Sequence, residues 1–124
     1  CAFIWAVSDP DKLPSDVRKR LVDPESTIWF SPITCAEIAC LAERDRIELK
    51  MHWKTWFDTY TEQNGWWAAD INVPIIQDAF ALPGTFHADP ADRIIVATAR
   101  FHDLHLITAD QKIIEYPFVK TIWE

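Results

Sequence analysis

The chain has 124 residues, 49% of them hydrophobic and 25% charged, so it has the composition of a globular protein and we expect one domain over residues 1–124. Its net charge of −7 argues against a general nucleic-acid binder, which would usually be basic. With two glycines it has no glycine-rich phosphate-binding loop, and without a membrane-spanning apolar run or a visible signal peptide we expect a cytoplasmic protein.

The first third of the chain predicts two helices, a short strand and a third helix. Residues 1–7 are apolar enough for one or two helical turns, and Pro14 suits the first turn of the next helix. The run TIWF at 27–30 is apolar, β-branched and aromatic, which predicts a strand. Pro32 then begins a helix that is apolar on most sides.

Glu37 is a carboxylate about one turn into that apolar helix. If it is buried, it must be paired, protonated or bound to a metal ion, because a bare buried charge is costly. The alternative is that the side chain reaches the rim near the helix N-terminus, where the helix dipole favours it. The sequence alone leaves both interpretations open.

An aromatic helix is predicted over residues 51–63, where Trp53, Trp56 and Phe57 recur at close to helical spacing. Gly65 ends this helix. Such a row of aromatic side chains usually packs into a core. A partner-binding surface is the alternative.

The second half of the chain continues the alternation of strands and helices. Strands are predicted at WWAADI (66–71), LHLIT (104–108) and FVKTIW (118–123), with helices at 72–83 and through IIVATA (94–99). The order contains no glycine-rich or asparagine-rich hairpin turns. It therefore predicts an α/β fold in which a mostly parallel sheet carries helices on both faces.

Acidic residues flank the helix through IIVATA and the strand LHLIT. Asp89 and Asp92 stand three residues apart before that helix, and Asp110 follows the strand. Asp89 as N-cap with Asp92 in the first turn would make an ordinary helix start, and Asp110 could cap the next short segment. Alternatively, these acids and Glu37 meet at the carboxyl edge of a parallel sheet, where carboxylates repel each other unless a cation is present. Hard oxygen ligands of this kind suit Mg²⁺ or Mn²⁺.

The cysteine and histidine patterns predict no site. Cys1, Cys35 and Cys40 are odd in number and lack zinc-type pairing, so we expect small buried thiols in a reducing compartment. His102 and His105 form an H-x-x-H pair, but a third ligand at the spacing of a zinc enzyme is missing.

Four segments carry a family resemblance. In this order and spacing, FIWAVSDPDKLP, SPITCAEIA, HADPADRIIVATA and LITAD resemble the PIN-domain ribonucleases, and more narrowly the VapC-type toxins of bacterial toxin–antitoxin pairs. The resemblance covers essentially the whole chain. It implies a three-layer α/β/α sandwich around a central, mostly parallel sheet, hydrolysis of RNA with Mg²⁺ or Mn²⁺, a homodimer and a cognate antitoxin.

The resemblance also implies roles for particular residues. Glu37, Asp92 and Asp110 match the family's second, third and fourth catalytic acids, which bind the metal ions. Asp89 matches an auxiliary acid, and Thr108 matches a hydroxyl residue that helps to order the site.

One departure from the family pattern concerns the first acid. Family members begin with a strand that ends in L-L-D-T, and its Asp would fall two residues before Cys1. The resemblance therefore implies that residues 1–124 lack the first strand and the first catalytic acid.

The leading expectation is a divalent-metal-dependent endoribonuclease toxin that a cognate antitoxin inhibits. Arg93 and Arg100, on the helix that Asp92 opens, are candidates to guide the RNA backbone. The alternative is a catalytically inactive PIN-like module that binds a protein partner through the aromatic helix at 51–63.

Overall fold

Two structural units make up the chain in the computed structural model, which describes every residue from Cys1 to Glu124. The first unit contains residues 1–26 and 71–124, and the second contains residues 27–70. Each unit is described by itself below. The expectation of one domain over residues 1–124 stays a prediction.

Helices alternate with short strands along the whole chain. In order, the elements are α1 (Ala2–Ser8), a 3-10 turn (Pro10–Lys12), α2 (Ser15–Val22), β1 (Trp29–Phe30), α3 (Pro32–Glu43), α4 (Trp53–Asn64), β2 (Trp67–Ala68), α5 (Val73–Ala79), α6 (Pro90–Phe101), β3 (Leu106–Ile107), α7 (Gln111–Ile114) and β4 (Thr121–Ile122). Every predicted strand is present, in a shorter form. No helix has both the length and the apolar character needed to cross a membrane.

The strands form two separate parallel pairs. In the second unit β1 pairs with β2, with Trp29 opposite Trp67, and in the first unit β3 pairs with β4, with Leu106 opposite Thr121. The predicted α/β class and the parallel pairing are confirmed. Each of the two sheets has two strands and lies within its own unit.

Side-chain caps explain where three of the helices begin. Ser31 Oγ accepts a hydrogen bond from the N–H of Ile33 at the start of α3, and Asn72 Oδ1 accepts one from the N–H of Ile75 at the start of α5. Asp89 does the same for α6. In each case a proline lies within the first two helical positions, where its missing N–H removes no helical hydrogen bond.

In two helices, the residue two positions after the last helical residue is an aspartate in the left-handed backbone region. Asp45 after α3 has φ 53° and Asp103 after α6 has φ 52°. The N–H of Arg46 then bonds to the carbonyl of Leu41 at 2.9 Å, and the N–H of Leu104 bonds to that of Ala99 at 2.8 Å, which closes each helix. Glycine usually fills this position because it carries no Cβ, so both aspartates hold a less favourable conformation.

Helix α6 lies at the centre of the first unit's core. Its fully buried Ala97 packs with Ile75 and Ala79 of α5, where small side chains allow close approach of the two helices. Its fully buried Val96 packs with Ile113 and Tyr116. Because α6 is held on both sides, the position of its N-terminus is well determined.

The second unit has its own core, built from α3, α4 and β1. Trp56 and Phe57 are only 2% and 5% exposed, and the Phe57 ring meets the Phe30 ring edge-on at 5.2 Å. The interpretation of these two residues as a partner-binding surface is therefore wrong. Trp53 is half-buried and donates from Nε1 to Glu43.

The structure decides the burial of Glu37, which the sequence left open, and corrects that of the cysteines. Glu37 is exposed on α3, as the rim alternative expects, so its charge needs no buried partner. The three cysteines are not core residues, since Cys1 and Cys40 are exposed and Cys35 is half-buried. Partial burial, and then the nearby charge of Asp58, raise the pKa of the Cys35 thiol.

Candidate active site

Asp92 is the carboxylate that the fold positions most firmly. It is the third residue of α6, and its backbone N–H donates to Asp89 Oδ1 at 3.2 Å. The predicted N-cap role of Asp89 is therefore confirmed. The Asp92 side chain is 20% exposed, so one edge of the carboxylate faces solvent and the rest lies against protein.

His87 is the nearest charged or polar neighbour of the Asp92 carboxylate. Its Nε2 lies 3.1 Å from Asp92 Oδ2, within the distance of an ion pair. The same nitrogen is buried and makes no hydrogen bond, because its N–H direction does not point at the oxygen. The two groups are therefore in contact without a formed hydrogen bond.

The charge on Asp92 is disfavoured where it lies. Burial is the largest cause that raises the pKa of Asp92, and the negative charges of Asp89 and Asp110 raise it further. The charges of His87 and Lys112 act in the opposite direction and are outweighed. The charges of Asp89 and Asp110 thus reach the Asp92 carboxylate at the N-terminal end of α6.

Asp110 and Thr108 form the start of α7. Asp110 Oδ1 accepts from the N–H of Lys112 at 2.9 Å, which confirms the predicted cap, and the N–H of Asp110 donates to Thr108 Oγ1 at 3.0 Å. The Thr108 hydroxyl therefore fixes the backbone that carries Asp110. Because capping uses one oxygen of Asp110, the other oxygen stays available to a ligand.

The chemistry of these donors fits a hard divalent cation, while their number does not complete a site. Carboxylate oxygens that raise one another's pKa values are stabilised by a cation between them. However, no group of three or more His, Cys, Asp or Glu side chains is arranged to hold a metal ion. Glu37, the remaining predicted ligand, belongs to the second unit. Asp92 and Asp110 are thus the candidate protein ligands that the first unit supplies, with water as the natural complement.

Arg93 binds the backbone around the start of α6, and its predicted contact with RNA stays a prediction. Its guanidinium donates to three backbone carbonyls, from Nε to His87 at 2.9 Å, from Nη2 to Phe86 at 2.9 Å and from Nη1 to Ala79 at 3.1 Å. It therefore ties the loop before α6 to the end of α5. Guidance of an RNA backbone by Arg93 is not supported by these contacts.

The Arg100 guanidinium likewise contacts other groups of the protein. Its Nη1 donates to the carbonyl of Phe118 at 2.7 Å, and its Nε lies 3.5 Å from Asp78 Oδ2. The predicted contact of Arg100 with RNA stays a prediction. Lys112, which sequence reasoning did not single out, is exposed and close enough to lower the pKa of Asp92.

The loop that carries His87 is also fixed from its other side. The Tyr116 hydroxyl donates to the carbonyl of Pro83, and the Tyr116 ring lies 4.8 Å from that of Phe86. The Phe86 ring in turn lies 4.5 Å from the imidazole of His87. Sequence reasoning missed His87 as a site residue, although its place five residues before Asp92 in a polar lead-in was a usable signal.

Comparisons with known proteins agree on one family. The PIN domain family matches residues 1–119 of the chain. The chain is 31% identical over 121 residues to a protein of Mycobacterium tuberculosis (strain H37Rv) described as Ribonuclease VapC22, and the match covers 96% of this chain and 91% of that protein. No solved structure matches the chain.

Proposed function

Because the chain belongs to the PIN-domain family, among its VapC-type ribonucleases, we propose that it is an endoribonuclease that hydrolyses RNA phosphodiester bonds with the help of a divalent metal ion. The observation that carries this proposal is the match of the PIN domain family to residues 1–119. The burial of Asp92 and the nearby charges of Asp89 and Asp110, which raise the pKa of Asp92, support a cluster that binds a cation. Such a cluster gains stability from a cation, and a cation is what phosphodiester hydrolysis at neutral pH uses. The family match runs through both structural units, which supports one functional domain.

In this proposal Asp92 and Asp110 are metal ligands, and Glu37 is the third candidate acid that the family resemblance implies. The ion is Mg²⁺ or Mn²⁺, which accept carboxylate and water oxygens. When bound, it lowers the pKa of a water molecule and stabilises charge on the phosphoryl group. Asp89 fixes the start of α6 through the N–H of Asp92, and Thr108 fixes the backbone of Asp110.

The substrate contacts follow from the charges that remain available. Lys112 is exposed at the start of α7, close to the acids, and we assign it a contact with an RNA phosphate in place of Arg93. Since water is the nucleophile in this scheme, the RNA 2′-hydroxyl is not required. We therefore expect products with 5′-phosphate and 3′-hydroxyl ends.

We also propose a cognate antitoxin as inhibitor, a homodimer as the working assembly, and action in the cytoplasm, where RNA is met. The exposed apolar side chains of α5 and its end support a protein interface in the first unit, since Val73 is 68%, Ile76 37% and Phe80 58% exposed. Ile76→Asp should weaken self-association in light scattering if this face is used.

The test is cleavage of total RNA with Mn²⁺, with EDTA as the control. It is run on this chain and on the same chain preceded by a strand that ends in L-L-D-T. Cleavage that needs Mn²⁺, by either chain, with 5′-phosphate ends, supports the proposal. Intact RNA in both cases, or 2′,3′-cyclic phosphate ends, would contradict it.

A further inference from the structure

His87 is half-buried, and one of its polar atoms is buried without a hydrogen bond. Its Nε2 is shielded from solvent, and the nearest acceptor is Asp92 Oδ2 at 3.1 Å, off the line of the N–H. A buried polar nitrogen without a partner costs free energy, so an apolar residue would suit the position better if packing alone decided it. A role in the site therefore explains a histidine at position 87 better than packing does.

The surrounding contacts hold His87 at this carboxylate. Arg93 Nε binds the His87 carbonyl and Nη2 binds the carbonyl of Phe86, so the loop backbone is fixed by the helix that carries Asp92. The Phe86 ring packs against the imidazole at 4.5 Å and restricts its movement. His87 and Asp92 are thus held next to each other at the first turn of α6.

We propose that His87 is a positioning residue, whose Nε2–H donates to Asp92 Oδ2 in the working site and leaves Asp92 Oδ1 directed at the metal ion. This inference rests on the proposed function and adds a residue to it. Carboxylates that bind metals are commonly held by a second hydrogen bond, which sets their orientation. Catalytic hydrogen bonds are often poorly aligned before a site binds its ligands, and they tighten afterwards. The proposal requires the same of the Nε2–H of His87 and Asp92 Oδ2.

The experiment compares four proteins by direct Mn²⁺ titration, read by the electron paramagnetic resonance of free Mn²⁺, and by cleavage kinetics. His87→Phe removes the donor and keeps the ring, His87→Asn keeps an amide that is too short to reach Asp92, and His87→Gln restores a donor at nearly the right length. His102→Gln changes an exposed histidine of the same unit and is the control. Circular dichroism verifies that each variant is folded.

We expect His87→Phe and His87→Asn to bind Mn²⁺ about 10-fold to 100-fold more weakly. At saturating metal, kcat should fall while KM for RNA stays unchanged, and His87→Gln should recover most of both losses. A purely structural role would not be rescued in this way. If His87→Phe does not fold, His87→Asn and His87→Gln decide the question.

The possible failures are distinguishable. If His87→Asn binds Mn²⁺ and cleaves RNA as the wild type does, or His87→Gln rescues nothing, the positioning role is overturned and the proposed function stands. If the wild type binds no Mn²⁺, and RNA is cleaved neither by it nor by the chain preceded by a strand that ends in L-L-D-T, the proposed function is overturned together with this inference.

Discussion

Replacing Arg93 by methionine distinguishes the observed role of this residue from the role predicted from sequence. Methionine keeps an unbranched stem and removes the guanidinium, so three backbone carbonyls lose their donors. Hydrogen bonds to a charged group contribute about 1.5–3 kcal/mol each, or about 4.5–9 kcal/mol for three. The bonds are only partly buried and water can replace some of them, so we expect about half of this, about 2–4 kcal/mol.

The assay is urea unfolding at pH 7, followed by tryptophan fluorescence and checked by thermal melting. A loss of this size should lower the melting temperature by roughly 4 °C per kcal/mol for a chain of this length. Arg93→Lys should lie between wild type and Arg93→Met, since an ammonium cannot reach three carbonyls at once. The control is Arg20→Met on α2, an exposed arginine whose loss should cost less than about 0.5 kcal/mol.

One result would refute this reasoning. If Arg93→Met unfolds at the same urea concentration as the wild type and binds RNA more weakly, Arg93 acts on the substrate and the loop contacts contribute little to stability.

The other predictions concern stability elsewhere in the chain. Asp45→Gly should raise the free energy of unfolding by about 0.5–1 kcal/mol, because glycine relieves the left-handed backbone, and an unchanged urea midpoint would contradict this. Asp103→Gly should gain less, since it also loses the 3.0 Å ion pair with Lys120. Ile75→Ala should lower the free energy of unfolding by about 2–5 kcal/mol, because Ile75 is fully buried. The neighbouring Ile76→Ala should cost less than half as much, because Ile76 is 37% exposed. Equal urea midpoints for the two variants would count against the described core. The free energy of unfolding of Asp92→Asn should rise relative to that of the wild type as the pH rises from about 3.8 through the raised pKa of Asp92. The reason is that ionisation of Asp92 is disfavoured in the folded wild type, and the asparagine does not ionise. A difference in stability that shrinks with rising pH would contradict this prediction.

Much of the local structure follows from the sequence because it depends on neighbouring residues. Asp89, followed directly by proline, caps the helix that it was expected to cap, and Asn72, with a proline two residues on, caps α5 in the same way. The apolar runs at 27–30 and 104–108 become strands because short β-branched and aromatic segments suit a sheet. The four segments that resemble PIN-domain ribonucleases led to the family that the comparisons confirm.

The errors concern contacts between distant segments. Arg93 binds Ala79 and two loop carbonyls, and no spacing rule gives the position of a carbonyl fourteen residues away. Glu37 is exposed because α3 has one face in solvent, and the composition of that helix does not identify which face this is. His87 was missed for a related reason, since its contact with Asp92 depends on a loop held by Arg93.

The most direct test of the central claim is Mn²⁺-dependent cleavage of RNA by Asp92→Asn beside the wild type, with melting temperatures measured for both. The substitution removes one negative charge and keeps the shape of the side chain. The Asp92→Asn protein should cleave no RNA, while its melting temperature should be unchanged or raised. Full cleavage by a folded Asp92→Asn protein would contradict the assignment of Asp92 to the metal and to the reaction.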